Sequence, residues 1–189
     1  MIHSAVLHIH KNLNQYLQAS FDEQQDVVVV SNVTEHDGSP VAYANNRLVL
    51  SLIRIEKDTF PQAKPPGQPM GHDGKRLLHF NLYILLMANF SGERYSEGLE
   101  MMSSCIRYFQ RTPYYDHGNS PDLDRSIEKL ILDVENIDFD QQPGVWNSVG
   151  GKCMPSIMYK VRMISVDDIG VEQMPGRLTS TQSTLQKQD

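Results

Sequence analysis

The segment that most constrains this chain is a long alternating run, Leu78 to Phe90, that passes directly into a helical repeat. Leu78, Phe80, Leu82, Ile84, Leu86, Ala88 and Phe90 occupy every second position. An extended chain sends successive side chains to opposite faces, so these residues make one wholly apolar sheet face. The intervening His79, Asn81, Tyr83, Leu85, Met87 and Asn89 make a mixed face, apolar only toward Leu85 and Met87. Past Ser91 and Gly92 the period changes. Leu99, Met102, Ile106 and Phe109 recur at three- and four-residue steps, which predicts an amphipathic helix burying that side. Pro113 ends it, because proline lacks the N–H and clashes with the preceding turn. A strand of this length feeding a helix that lies back across it is a core unit.

The remaining segments supply what packs around it. Ile2, Ala5, Val6, Ile9, Leu13, Tyr16 and Leu17 form a helical stripe over residues 2–19, with His3, Lys11, Asn14 and Gln15 mainly off it. Asp26 to Val33 holds consecutive valines, which lose χ1 freedom in a helix and favour a strand. From Asn46 to Lys57 a second strand is expected, with Leu50 and Leu52 on one face and Ser51, Ile53 and Ile55 on the other. Ser126 to Phe139 carries Ile127, Leu130, Leu132, Val134 and Ile137 and reads as a strand, although the pattern is compatible with a helix. Ser156 to Asp167 alternates again and is the last strand. The segment after Pro113, YYDHGNSPD, reads as loop, and residues 140–155, with the single Trp146, leave room for one short helix. Residues 57–75 hold four prolines and three glycines without periodicity. A structureless loop of that length is commonly functional. The order α-β-β-β-α-β-β contains one clear crossover helix. It predicts an α+β fold: a mostly antiparallel or mixed β-sheet packed against the N-terminal helix and the second amphipathic helix. Residues 1–169 are expected to form a single domain. Residues 170–189 are expected to be a polar, flexible tail, too poor in apolar groups to offset the entropy of ordering.

Charge and motifs exclude several functions. A net charge of -6 opposes a nucleic-acid binder, which needs a basic face for phosphates. His79, Asn81 and Asn89 interrupt the best candidate for a membrane span, so none is expected. The N-terminus has neither the basic region nor the cleavage site of a signal peptide. Two cysteines, Cys105 and Cys153, make no disulfide framework or metal motif. Two Gly-Lys pairs, Gly74–Lys75 and Gly151–Lys152, fail as phosphate loops. Pro69 and Trp146 stand where the first glycine belongs, and Arg76 and Cys153 replace the hydroxyl that would bind magnesium. His8 and His10 point in different directions on their helix. His3 and His10 share a side but lack a carboxylate partner or ligand spacing. His36, His72, His79 and His117 complete the histidines, and His79 reads as a packed strand residue. Cys105 falls beside the helical stripe as a small core residue. Asp133, Glu135, Asp138 and Asp140 lack the glycine and spacing of a calcium loop and read as a solvated strand edge. No catalytic, cofactor-binding or metal-binding residue is therefore assigned, and the chain is read as a non-enzyme needing no cofactor. A small enzyme using Cys153 or His79 is the weakest alternative.

The second half resembles a known family. FNLYILLMANFSGERYSEGLEMMSSCIRYFQRTPYYD has its aromatic and leucine strand, short polar turn and helix ending before a proline. IEKLILDVENIDFDQQPGVWNSVGGKCMPSIMYKVRMISVD has the strand, the lone Trp146, the Gly-rich turn and then Pro155-Ser156-x-x-Tyr159-x-Val161-Arg162. The N-terminal helix and LVLSLIRIEKD occupy the expected places, so the likeness extends from about Ile2 to Asp168. The chain is similar to the tail terminator (cap) proteins of extracellular contractile injection systems, of virulence-cassette and antifeeding-prophage type, which are related to contractile phage tail terminators. The resemblance implies a hexameric ring on the distal end of the inner tube and sheath, ending polymerisation and anchoring sheath to tube. It implies the chain itself, the tube protein and the sheath protein as partners. It further implies assembly in the cytoplasm into a phage tail-like particle released outside the cell. The alternative within the same class is another adaptor, connector or baseplate component. A cyclic ring needs two different complementary patches on each subunit. The candidates are the 57–75 loop, the mixed face of the long strand and the acidic 133–140 segment.

Deleting residues 171–189 is expected to leave the thermal unfolding midpoint unchanged. A drop of several degrees in a calorimetric scan contradicts the tail assignment.

Overall fold

The computed structural model describes residues 1–58, 76–150 and 152–167, and in them the predicted elements appear with two additions. Helix α1 spans Ile2–Phe21, β1 Val28–Val30, β2 Arg47–Lys57, β3 Arg76–Asn89, α2 Tyr95–Arg111, β4 Tyr114–Asp116, β5 Ile127–Glu135, α3 Gln142–Val149 and β6 Ser156–Asp167. The strands form one sheet in the order β1-β2-β3-β6-β5-β4. Only β1 and β2 are parallel; every other neighbour pair is antiparallel. The expected α+β architecture, a mixed sheet against the N-terminal helix and a second helix, is what the chain adopts.

Strand β3 lies at the middle, with β2 and β6 on its flanks. Its Leu82, Ile84, Leu86 and Ala88 enter a large core beneath α1 and α2, with Ile9, Leu13 and Leu17 of α1 and Met101, Cys105 and Phe109 of α2. Its Leu85 and Met87 enter a second, smaller core on the opposite face. There they meet Val29, Val33, Val41, Ala44, Val49 and Met158, with Val145, Trp146 and Val149 of α3 packed against them. The short helix allowed for by the sequence is α3, and it covers this second face.

Six local expectations are corrected. The valine strand is shorter than Asp26–Val33, because polar groups of α1 take up the backbone at its start. Asn14, expected off the buried side, is itself buried and accepts from the N–H groups of Val27 and Val28 at 2.9 and 3.0 Å. Its amide donates to Asp26 Oδ1 at 2.7 Å. In β2 a bulge between Leu52 and Arg54 shifts the register, so Ile55 opposes Leu82 and lies on the Leu50 face, not the Ser51 face. The YYD segment is not loop: it pairs with Lys129–Ile131 as the edge strand β4. The strand predicted to reach Phe139 ends at Glu135.

The sixth correction concerns α2, whose buried face is Gly98, Met101, Met102, Cys105 and Phe109, while Leu99 is exposed. The cause is Phe90. A Cβ placed on Gly98 would lie 2.8 Å from Phe90 Cδ2, so the ring packs directly on the helix backbone there. That contact turns the helix and carries Leu99 out to solvent. Helix propensity alone would favour Gly98→Ala by about 1 kcal/mol. Overlap with a ring held in the core costs about 1–3 kcal/mol, which is larger. The expected result is a melting midpoint lowered by a few degrees, and a raised midpoint would contradict the packing.

Candidate assembly surfaces

The side chains with reactive potential are placed for packing, and they lie apart. Cys105 is fully buried, and burial pushes its thiol up to about 12. Cys153 is exposed. Ser156, just after Cys153, pairs with Met87, whereas His79 pairs with Ile164 eight residues along the strands. At ~3.3 Å per residue Ser156 and His79 are separated by roughly 26 Å along the strands. His10 donates from Nε2 to the Val28 carbonyl at 2.9 Å, tying α1 to the edge strand. His3, His36 and His117 are exposed. His72, the Gly74–Lys75 pair, Gly151, and the 59–75 and 170–189 segments lie outside the described residues. Among the described residues no three His, Cys, Asp or Glu side chains are grouped to hold a metal ion, and no helix is long and apolar enough to cross a membrane.

Among the described residues His8 is the one buried histidine, and its surroundings fix its role. Nε2 lies 2.9 Å from Ser120 Oγ and 3.2 Å from the donating Asn12 amide, so it accepts and the proton sits on Nδ1. The ring stands edge-on to Tyr115, with centroids 5.1 Å apart. Tyr115 Oη meets Tyr108 Oη at 3.0 Å, and Tyr108 stacks on Tyr16 at 4.7 Å. This aromatic and polar cluster joins α1, α2 and β4. Burial lowers the His8 pKa, opposed by the charge of Asp122 and aided by that of Lys11.

Beyond α3, the second face of the sheet carries polar and charged side chains in register. Tyr83 donates to Glu56 at 2.8 Å and has the Arg54 guanidinium 6.0 Å and the Lys160 ammonium 5.8 Å from its ring centroid. Arg54 pairs with Glu56, and Arg162 meets Asp58 at 2.9 Å. Burial, then the Glu56 contact, raises the Tyr83 pKa. The mixed face expected from His79, Asn81 and Tyr83 thus carries its own pairs around Tyr83, while the buried Asn81 Oδ1 has no hydrogen-bond partner among the described residues. The β2 bulge makes this possible, because it brings Arg54 and Glu56 onto the Tyr83 side.

The acidic segment differs. Asp133, Glu135, Asp138 and Asp140 form no ion pair with a described residue, and between the last two Phe139 is 88% exposed. The expected solvated strand edge holds for Asp133 and Glu135, since β4 pairs only as far as Ile131. Near the other end of β5 an open cleft of about 420 Å³ is lined by Tyr108, Arg111, Pro113, Tyr114 and Asn119. Neither Phe139 nor this cleft was singled out by sequence pattern. The signal for the first was available: an aromatic bracketed by two aspartates where the strand alternation fails.

These surfaces belong to an α+β fold. Comparison with known proteins gives the lineage. The chain belongs to the Pvc16 N-terminal domain family, which it matches over residues 7–180. Its fold is similar to that of the PVC sheath/tube terminator in the extended state of an extracellular contractile injection system. The TM-score is 0.54 at 13% identity, covering 96% of this chain and 63% of that one. It is also similar to the anti-feeding prophage cap, a tube-terminating cap, with TM-score 0.53 at 14% identity over 94% of this chain and 61% of the other. This chain spans less than two thirds of the length of either. No curated protein matches its sequence. The resemblance to tail terminators read from the residues is borne out.

His8 supplies a pH test of the packing. Its folded pKa is lowered from 6.5, so in the window just below that value the unfolded chain binds the proton more readily. Stability therefore falls as pH drops below about 6.5. Replacing His8→Gln is expected to flatten that slope in urea titrations from pH 7 to 5, whatever it does to stability at neutral pH. An unchanged slope would assign the pH dependence elsewhere.

Proposed function

We propose that this chain is the cap of a contractile injection system: a ring of six copies on the distal end of the inner tube and sheath, which ends polymerisation and anchors the sheath to the tube. The observation that carries the reading is the family match across residues 7–180, joined to a fold shared with two tube-terminating proteins. The partners are further copies of the chain, the tube protein and the sheath protein. Residues 1–169 act as one domain and 170–189 as an appended tail. The work requires no catalytic residue, cofactor or metal, because stopping a polymer needs only a surface that accepts the last ring and presents no site for the next. Assembly takes place in the cytoplasm, and the finished particle carries the cap out of the cell.

Particles produced without this chain are expected to have tubes of scattered length and sheaths that slip from the tube on contraction, both measurable in electron micrographs. Tubes of unchanged, uniform length would sink the reading. A labelled chain located at the baseplate end would replace it with an adaptor role.

A further inference from the structure

Among the described residues Phe139 is the most exposed large hydrophobic, at 88%, and it is held in place. Ile137, two residues earlier, packs against the second core, so the chain is anchored just before it. The carbonyl of Asp138 accepts from the N–H groups of Gln141 and Gln142 at 2.9 and 3.2 Å, which closes a turn around Phe139 at the start of α3. An apolar ring presented on a hydrogen-bonded turn is a preorganised anchor and loses little entropy on docking. Its flanks, Asp138 and Asp140, have no ion-pair partner among the described residues.

The same chain holds a complementary socket elsewhere. The cleft of about 420 Å³ beside β4 has rings on its walls, from Tyr108, Pro113 and Tyr114, and it is large enough for a phenyl group. Arg111 lines it and forms no ion pair with a described residue. Lys129 Nζ sits 4.3 Å from the centroid of the half-exposed Tyr114 ring and is already paired with Asp116 of the same chain at 4.0 Å. The anchor is acidic and aromatic; the socket is aromatic and carries the cation Arg111. They lie toward opposite ends of β5, since β4 pairs with Lys129–Ile131 and Phe139 follows Glu135.

We infer that Phe139 of one copy docks into the Tyr108–Arg111–Tyr114 cleft of the next, with Asp138 and Asp140 facing Arg111. The occupant is a second copy of this chain because the charges match and both halves of the contact are on it. Two different patches make a heterologous, head-to-tail interface, and repetition of such an interface closes into a ring when the rotation permits. The inference rests on the ring reading above and names the surfaces that form it.

The test uses the full chain, with native mass spectrometry and light scattering over a concentration series. Phe139→Ser is expected to weaken self-association at least about thirty-fold, the loss typical of a central aromatic anchor. At a concentration where parent and variant are both monomeric its melting midpoint should not move, because the ring is 88% exposed in the single chain. Arg111→Asp and Asp140→Arg should each weaken assembly, and together they should recover part of it. A Phe139→Ser chain that assembles like the parent, or a charge exchange without recovery, overturns the contact while leaving the capping role intact. A parent chain that is monomeric at every concentration also overturns it. The capping role is then judged separately, by tube length.

Discussion

The structure depends on β3 being buried on both faces over the same stretch. Leu82 to Ala88 divides its side chains between two cores, one under α1 and α2 and one under α3, so a single strand serves as the common wall. Burying an aliphatic side chain contributes roughly 1.5–3 kcal/mol, and fully buried Leu82, Ile84, Leu85, Leu86 and Met87 are consecutive or nearly so. The register of β2 and β6 on either side follows from this. A slip of one residue would send apolar groups of one core into the other and leave both badly filled. Where the second face loses its helical cover, beyond Leu85, the pattern switches to Tyr83, Asn81 and His79, and charged neighbours on β2 and β6 take over.

The edge of the sheet is secured differently. Strand β1 is three residues long, and burial alone would hold it weakly. Two polar side chains of α1 supply what is missing: Asn14 caps the N–H groups of Val27 and Val28, and His10 meets the Val28 carbonyl. Buried backbone groups left unpaired cost about 1–3 kcal/mol each, so these contacts also determine where pairing can start. The same helix reaches the opposite edge through His8, Ser120 and the tyrosine cluster beside β4. Helix α1 thus spans the sheet and fastens both margins.

How much of this was legible in the sequence depends on whether the signal was local. The long strand, both helices and the last strand were readable, because each carries its own period and needs no partner to define its faces. The face of α2 was misread since Leu99 fits the period as well as Met101 does; only the contact between Phe90 and Gly98 chooses between them. Ile55 was placed on the wrong side because a bulge leaves no mark in the alternation before it. Asn14 looked like a solvent residue because its partners, the Val27 and Val28 amides, are brought to it by folding. Strand β4 is short and rich in tyrosine and aspartate, so it exists through pairing with β5 and not through its own pattern. The resemblance to tail terminators was legible because it rests on order and spacing, which survive at 13–14% identity in the folds it matches. Contact surfaces were the least legible, since neither the exposure of Phe139 nor the cleft is a property of one segment.

Charge distribution separates surfaces that finish the fold from surfaces that await something. On the second sheet face, Arg54 pairs with Glu56 along β2 and Arg162 of β6 with Asp58 just past the end of β2, so little net field remains. The net charge of -6 is instead conspicuous at Asp133, Glu135, Asp138 and Asp140, where no described cation answers it. Exposed carboxylates of this kind add little binding energy, because exposed pairs contribute about 0–1 kcal/mol each. Their effect is on approach and orientation. An aromatic among them supplies what charge does not: apolar area that becomes favourable only when a partner removes it from water. A subunit that must join its neighbours in one orientation benefits from dividing the tasks this way, with charge selecting the pose and a single ring holding it.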